Sequence, residues 1–170
     1  VRQVRDATAW TYQNAERFGA DPEQLYVSGH SSGGHLAAAV LTTDWQGTYG
    51  LPPDMIKGGL CISGMYELEP VRLSWRNSYL NLTDEMIEVL SPQRHIDQVS
   101  APLLVAYGTY ETPEFQRQGR DFATAMEAAG KPIELLVGTG FNHFEIRDSL
   151  ASDYGFLGRK ILEQMGLLGS

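Results

Sequence analysis

Cysteine is almost absent from this 170-residue sequence, in which Cys61 is the single example. A lone cysteine excludes an internal disulfide framework and a metal cluster built from cysteines alone. Long apolar runs are also missing, since no stretch approaches the roughly 18 residues of a membrane span, and we expect no signal peptide. Basic residues are few: 13 Lys and Arg stand against 21 Asp and Glu, for a net charge of −8. This balance argues against a nucleic-acid partner and against an anionic membrane surface.

What remains is the composition of a folded protein, with 42% hydrophobic and 20% charged residues. A chain of this length buries roughly 70% of the surface that it exposes when unfolded, so residues 1–170 can form one domain with its own core. The lone cysteine fits the reducing cytoplasm, which is the compartment we expect. The sequence leaves open whether the protein is a homo-oligomer.

Short apolar runs alternate with helical patterns along the chain. The runs are typical of buried strands and cover residues 25–27, 59–63, 103–107 and 133–137. Between them lie an apolar stretch at residues 36–41, which predicts a buried helix, and a helical pattern that begins after Thr112. Apolar residues three and four positions apart from Ile146 to Met165 predict one long final helix. Strands joined by crossover helices predict an α/β fold, with a mainly parallel sheet and helices on both of its faces.

Residues 66–98 carry no strand signal and form a possible cap or insert within the domain. Thr83 is typical of a helix start and Ser91-Pro92 of a helix end. Such a long segment between strands is commonly functional or poorly defined. Trp75 and Tyr79 lie within it, and they either face the substrate or pack the cap onto the rest of the domain.

A G-x-S-x-G motif occupies residues 29–33, between the first predicted strand and the buried helix. In this context it predicts a nucleophile elbow, a tight turn that raises Ser31 above the sheet at the start of a helix. Gly29 and Gly33 are expected to leave room for the turn. Backbone N–H groups at a helix start favour a developing oxyanion, and we expect the Ser32 N–H to serve it. The alternative is a glycine-rich turn with incidental serines.

A serine hydroxyl needs a base to take its proton, and four histidines are available. His30 and His35 lie within the elbow segment, too close in sequence to reach back over Ser31, and are expected to be structural. His95 lies in the strand-free stretch. His143 follows the carboxyl end of the fourth predicted strand, and ligands of parallel sheets bind at such strand ends. It is therefore the predicted base. Its alternative role is helix capping or core packing.

The acid that orients the base should come from a loop between the serine and the histidine in chain order. Glu111 leaves the third predicted strand and is the predicted acid, the alternative being an exposed loop carboxylate. Glu114 already lies in a first helical turn, where the helix dipole explains it, and Asp97 precedes its strand. The sequence therefore predicts the catalytic order Ser31, Glu111, His143. No metal-ligand spacing or phosphate loop is present.

A family resemblance is carried by residues 29–38, 91–92, 102–105 with Gly108 and Glu111, and 142–144, and Asp21-Pro22 also fits it. Together they resemble the α/β-hydrolase superfamily, in the branch of arylformamidases (kynurenine formamidases) and hormone-sensitive-lipase-like carboxylesterases. The resemblance implies a cofactor-independent serine hydrolase that cleaves a carboxylic ester or an N-formyl or acyl amide. The alternatives are a general short-chain carboxylesterase and a non-catalytic module for sensing or interaction.

The resemblance also implies a missing part. Members of this branch supply oxyanion-hole N–H groups from a His-Gly-Gly loop well upstream of the serine, and the residues before Ser31 contain no such motif. We therefore expect the chain to be the C-terminal portion of the fold, with Val1 a cut end. The expected partners are a small-molecule ester or amide and an N-terminal half present as a separate chain.

Overall fold

Four parallel strands form a single sheet in the computed structural model, which describes residues 1–168. The strands are β1 (Leu25–His30), β2 (Ile56–Ile62), β3 (Leu103–Gly108) and β4 (Ile133–Gly138), and they lie side by side in chain order. All three pairings are parallel, so every strand ends at the same edge of the sheet. The predicted α/β fold is confirmed, with strand ends shifted by one to three residues.

Helices precede β1, connect the strands and follow β4. They are α1 (Arg2–Asn14), α2 (Ser32–Leu41), α3 (Trp45–Tyr49), α4 (Glu69–Arg72), α5 (Asn77–Leu80), α6 (Asp84–Leu90), α7 (Pro113–Ala128), α8 (Glu145–Asp148) and α9 (Phe156–Gln164). Within residues 1–168, no helix has both the length and the apolar character needed to cross a bilayer.

Side chains alternate along each strand, so both faces of the sheet carry apolar residues, and helices pack on both. On one face Cys61 packs with Val40 of α2 and Phe122 of α7. On the other, Leu60 packs with Leu157 of α9. Burial raises the pKa of the Cys61 thiol to about 12, which keeps the sulfur protonated and unreactive.

The long final helix predicted from Ile146 onward is wrong, because a turn at residues 149–155 separates α8 from α9. A Cβ at Gly158 would lie 2.0 Å from the carbonyl oxygen of Ser152, so this glycine lets the turn fold against α9. The Ser149 hydroxyl accepts a hydrogen bond from the Leu157 N–H at the start of α9. Ile146 and Leu157 are nevertheless buried in one cluster, which explains why the apolar spacing continues across the break.

Residues 66–98 hold α4, α5 and α6 and contain no strand. Thr83 begins α6 as predicted, since its hydroxyl accepts a hydrogen bond from the Met86 N–H, and α6 ends before Ser91-Pro92. The segment is tied to α7 through Gln118, whose buried amide oxygen accepts from the N–H of Tyr66 at 2.6 Å. This bond fixes the start of the segment against the first half of α7.

Candidate active site

Ser31 occupies a strained turn between β1 and α2. Its φ of 59° and ψ of −119° lie outside the regions that residues with side chains usually adopt. Strain of this kind costs on the order of 1–3 kcal/mol and persists only where the surroundings hold it. Here the Ser31 N–H donates to the carbonyl oxygen of Ile62 at 2.8 Å, which fixes the turn against the end of β2.

Two glycines let the chain pass close to itself at this turn. A Cβ at Gly29 would lie 2.0 Å from the carbonyl oxygen of Gly33, and one at Gly34 would lie 2.7 Å from that of Ile62. A Cβ at Gly33 would meet no atom within 4 Å. The expectation that Gly33 is needed for space is therefore wrong, because the helix that starts at Ser32 turns Gly34 rather than Gly33 toward β2.

His143 lies between the other two predicted residues. Its Nε2 is 2.9 Å from Ser31 Oγ, and its Nδ1 is 2.7 Å from Glu111 Oε2. The His143 side chain is 21% exposed, whereas the Glu111 side chain is fully buried. The ring of Phe115 packs against the imidazole, with 4.5 Å between the ring centroids. The structure thus brings all three predicted residues together, in the order hydroxyl, imidazole, carboxylate.

Glu111 is held by more than the histidine. Its Oε1 accepts from the backbone N–H of Gly108 at 2.7 Å and from the hydroxyl of Ser63 at 2.6 Å. Ser63 is 1% exposed and has a positive φ of 50°, so a strained backbone aims its side chain at the carboxylate. Ser63 is not among the residues predicted from the sequence, although its place at the end of a buried strand is typical of a residue at the ligand-binding edge.

The four strands each deliver one polar side chain to this edge. Ser31 follows β1, Ser63 follows β2, Glu111 follows β3 by three residues and His143 lies in the turn after β4. The row can move a proton from a serine hydroxyl to an imidazole whose positive charge a buried carboxylate stabilises. This is the arrangement that activates a serine as a nucleophile.

The two histidines of the elbow segment make backbone contacts. His30 Nε2 lies 2.6 Å from the carbonyl oxygen of His143, so a ring N–H can donate to the turn that carries the candidate base. His35 Nε2 lies 2.8 Å from the carbonyl oxygen of Leu90, which links α2 to the end of α6. Desolvation by burial lowers the pKa of both rings and favours their neutral forms. These contacts fit structural roles, with His30 supporting the base directly.

Ser32 is exposed and is the first residue of α2, so its N–H has no acceptor within the helix. It is available to an oxyanion formed next to Ser31. Trp75 and Tyr79 are 80% and 57% exposed and contact each other edge to face, with ring centroids 5.6 Å apart. Their substrate-binding role stays a prediction.

A cavity of about 170 Å³ lies between residues 65–76 and the start of α7. We call it the Phe115 cavity, since its wall includes Met65, Val71, Arg76 and Phe115. Phe115, which lines this cavity, is also the ring that packs on His143. In residues 1–168, no group of three or more His, Cys, Asp or Glu side chains is placed to hold a metal ion.

Comparisons with known proteins agree on one family. Residues 1–146 match a family model described as alpha/beta hydrolase fold. The chain is 35% identical over 171 residues to the kynurenine formamidase of Danio rerio, covering 98% of this chain and 56% of that protein. It is 34% identical to the kynurenine formamidase of Salmo salar, with the same two shares covered.

Solved structures give the same result. Esterase 2 of Thermogutta terrifontis, phosphoramylated by tabun, superposes with a TM-score of 0.72 at 25% identity, covering 99% of this chain and 65% of that one. The chain thus spans little more than half the length of the two formamidases that it matches. The resemblance inferred from the sequence is confirmed.

Proposed function

The chain belongs to the α/β-hydrolase family, and from that premise we propose that it is the catalytic portion of a serine hydrolase that cleaves an N-formyl amide or a carboxylic ester. The observation that carries the proposal is the unbroken hydrogen-bonded series from Ser31 Oγ through His143 to buried Glu111, at 2.9 and 2.7 Å. A hydroxyl, an imidazole and a carboxylate in this geometry suit acyl transfer.

In the proposed reaction Ser31 Oγ attacks the substrate carbonyl carbon while His143 Nε2 takes the hydroxyl proton. Negative charge collects on the carbonyl oxygen, to which the Ser32 N–H donates. Glu111 holds the imidazole in position and stabilises its charged form. When the carbonyl reforms, His143 gives its proton to the departing amine or alcohol, and the acyl group stays on Ser31.

Water then completes the cycle. His143 removes a proton from a water molecule, whose oxygen attacks the acyl carbon, and the same proton returns to Ser31 Oγ as the acid leaves. An oxyanion hole uses more than one N–H. Because the chain covers 56% of the formamidase that it matches, we propose that further donors belong to the part of the fold outside these 170 residues. We also propose that residues 66–98 form a cap over the site.

The similarity to kynurenine formamidases supports a formamide as substrate, and the similarity to an esterase supports an ester. Hydrolysis of N-formylkynurenine measured against that of p-nitrophenyl acetate distinguishes the two. A higher kcat/KM for N-formylkynurenine supports the formamidase assignment. A higher kcat/KM for p-nitrophenyl acetate favours a general carboxylesterase.

The catalytic assignment is tested with a fluorophosphonate probe on the full-length protein. We expect one covalent adduct on Ser31, identified by peptide mass spectrometry, and none in Ser31→Ala. Ser32→Ala is the matched control, because it keeps the backbone N–H and should still be labelled. A folded protein that leaves Ser31 unlabelled, or Ser31→Ala that retains hydrolysis, contradicts the proposal.

A further inference from the structure

His143 lies in an irregular turn between β4 and α8, so no helix or strand fixes its backbone. The proposed reaction nevertheless needs its ring within hydrogen-bond reach of Ser31. Asn142, one residue earlier, accepts from the N–H groups of Phe144 and Glu145 at 2.9 and 3.0 Å, which holds the side of the turn that leads into α8. The position of His143 itself depends on contacts from elsewhere in the chain.

The ring of His30 supplies such a contact, because its Nε2 lies 2.6 Å from the carbonyl oxygen of His143. In the part of the chain that the structure describes, no turn, loop or cap N–H donates to that carbonyl. The bond joins residues that are 113 positions apart. His30 is the last residue of β1 and directly precedes Ser31, so the end of one strand touches both the nucleophile and the turn that carries the base.

The two imidazole rings are also in contact, with 4.6 Å between their centroids and 46° between their planes. The ring centroids of Phe115 and Phe144 lie 4.5 and 5.4 Å from that of His143. A phenylalanine ring has no N–H to donate. Of these three neighbouring rings, His30 is therefore the one that can hold the backbone of the base as well as pack on its side chain.

His30 is suited to donate as a neutral ring. Desolvation by burial lowers its pKa, which favours the neutral form. The positive charges of Arg147 and of a protonated His143 act in the same direction, and Glu111 acts in the opposite one. A neutral imidazole carries one N–H, and the contact with the carbonyl oxygen assigns it to Nε2. Such a donor adds no second positive charge beside the imidazolium that forms in the proposed reaction.

We propose that His30 is a positioning residue, whose ring N–H holds the turn of the base so that His143 Nε2 reaches Ser31 Oγ. This proposal rests on the proposed function, since it takes His143 as the base. The motif position directly before the nucleophile then serves catalysis as well as the fold. A reacting group that is misplaced by about 1 Å can cost about a hundredfold in rate.

The test separates the hydrogen bond from the packing of the ring. His30→Gln keeps an N–H donor at about the reach of the ring Nε2 and loses the ring, whereas His30→Phe keeps a ring and loses the donor. In the full-length protein with p-nitrophenyl acetate, His30→Phe should lower kcat/KM roughly tenfold to a hundredfold, and His30→Gln by less than about threefold. Gln164→Leu is the control, because it removes a similar side-chain hydrogen bond, to the Pro102 carbonyl beside the start of β3, and should leave kcat/KM unchanged.

A second ester shows whether the loss passes through the base. Phenyl acetate releases a more basic phenolate than p-nitrophenyl acetate does, so its cleavage depends more on the proton that His143 gives to the leaving oxygen. The loss of kcat/KM in His30→Phe should therefore be larger on phenyl acetate. A smaller amount of folded protein would instead lower both reactions by the same factor.

The outcomes separate this inference from the proposed function. Wild-type kcat/KM in His30→Phe, an equal loss on the two esters, or a loss in His30→Gln as large as in His30→Phe overturns the positioning role while hydrolysis itself stands. Melting temperatures show which variants are folded, and His30→Leu, which also lacks the donor, takes the place of His30→Phe if the larger ring prevents folding. Hydrolysis that persists in Ser31→Ala instead overturns the proposed function, whatever the His30 variants do.

Discussion

Removing the Ser63 hydroxyl tests whether Glu111 must be held from behind to orient the base. Ser63→Ala deletes one of three hydrogen bonds to this buried carboxylate and leaves those from Gly108 and His143. Hydrogen bonds to charged groups contribute about 1.5–3 kcal/mol. If that whole amount supports the imidazolium formed in the transition state, kcat falls roughly tenfold to a hundredfold.

The assay compares three variants under steady-state conditions, with p-nitrophenyl acetate or N-formylkynurenine as substrate. Ser63→Gly removes the same hydroxyl but tolerates the positive φ of 50°, so its backbone is relieved of strain. Equal losses of kcat in Ser63→Ala and Ser63→Gly assign the effect to the hydroxyl and not to the backbone. Ser100→Ala, which removes an exposed hydroxyl bonded to the Pro53 carbonyl, should leave kcat unchanged.

A double-mutant cycle with Glu111→Ala provides the decisive result. If Ser63 acts through the carboxylate, Ser63→Ala costs nothing further once Glu111 has been removed. Wild-type kcat in Ser63→Ala, or an equal loss in both backgrounds, would refute the reasoning.

Two further predictions concern stability. Gly29→Ala should lower the free energy of unfolding by about 1–3 kcal/mol, because its Cβ would lie 2.0 Å from the Gly33 carbonyl oxygen. Gly33→Ala, whose Cβ meets no atom within 4 Å, should be neutral or stabilising, and equal melting temperatures for the two variants contradict the packing argument. Burial lowers the pKa of His30 and His35 in the folded protein. Below about pH 6.5 the unfolded chain therefore binds more protons than the folded one, and the free energy of unfolding decreases as the pH is lowered. Urea titrations at about pH 7 and 5.5 measure this loss of stability, which should be smaller in His35→Gln. A loss of the same size in that variant would show that His35 does not contribute to the pH dependence.

The elbow and its partners were predictable because local signals coincide there. A glycine-flanked serine between a strand and an apolar helix is rarely accidental, and the loops after β3 and β4 each offer one suitable side chain. Parallel pairing then places these loops at one edge without further information.

Other features depend on packing that a single sequence does not show. The break before α9 keeps the apolar spacing of a continuous helix, and it shows only in close packing such as that at Gly155 and Gly158. Ser63 looks like an ordinary strand-end residue until its hydroxyl is seen 2.6 Å from the acid. The motif ends at Gly33, with Gly34 just outside it, and the close approach of β2 shows that Gly34 is the one that needs the space.

The row of side chains along the sheet edge has a kinetic consequence. Ser31 and His143 are separated by 112 positions in the chain, and contacts of such long range form late in folding because the intervening loop must first close. In the folded sheet β2 and β3 lie between the strands that carry the two residues, so all four strands must pair before the serine lies beside its base. In refolding experiments we therefore expect hydrolytic activity to return more slowly than helical structure. The rate at which activity returns then reports when the last strand joins the sheet.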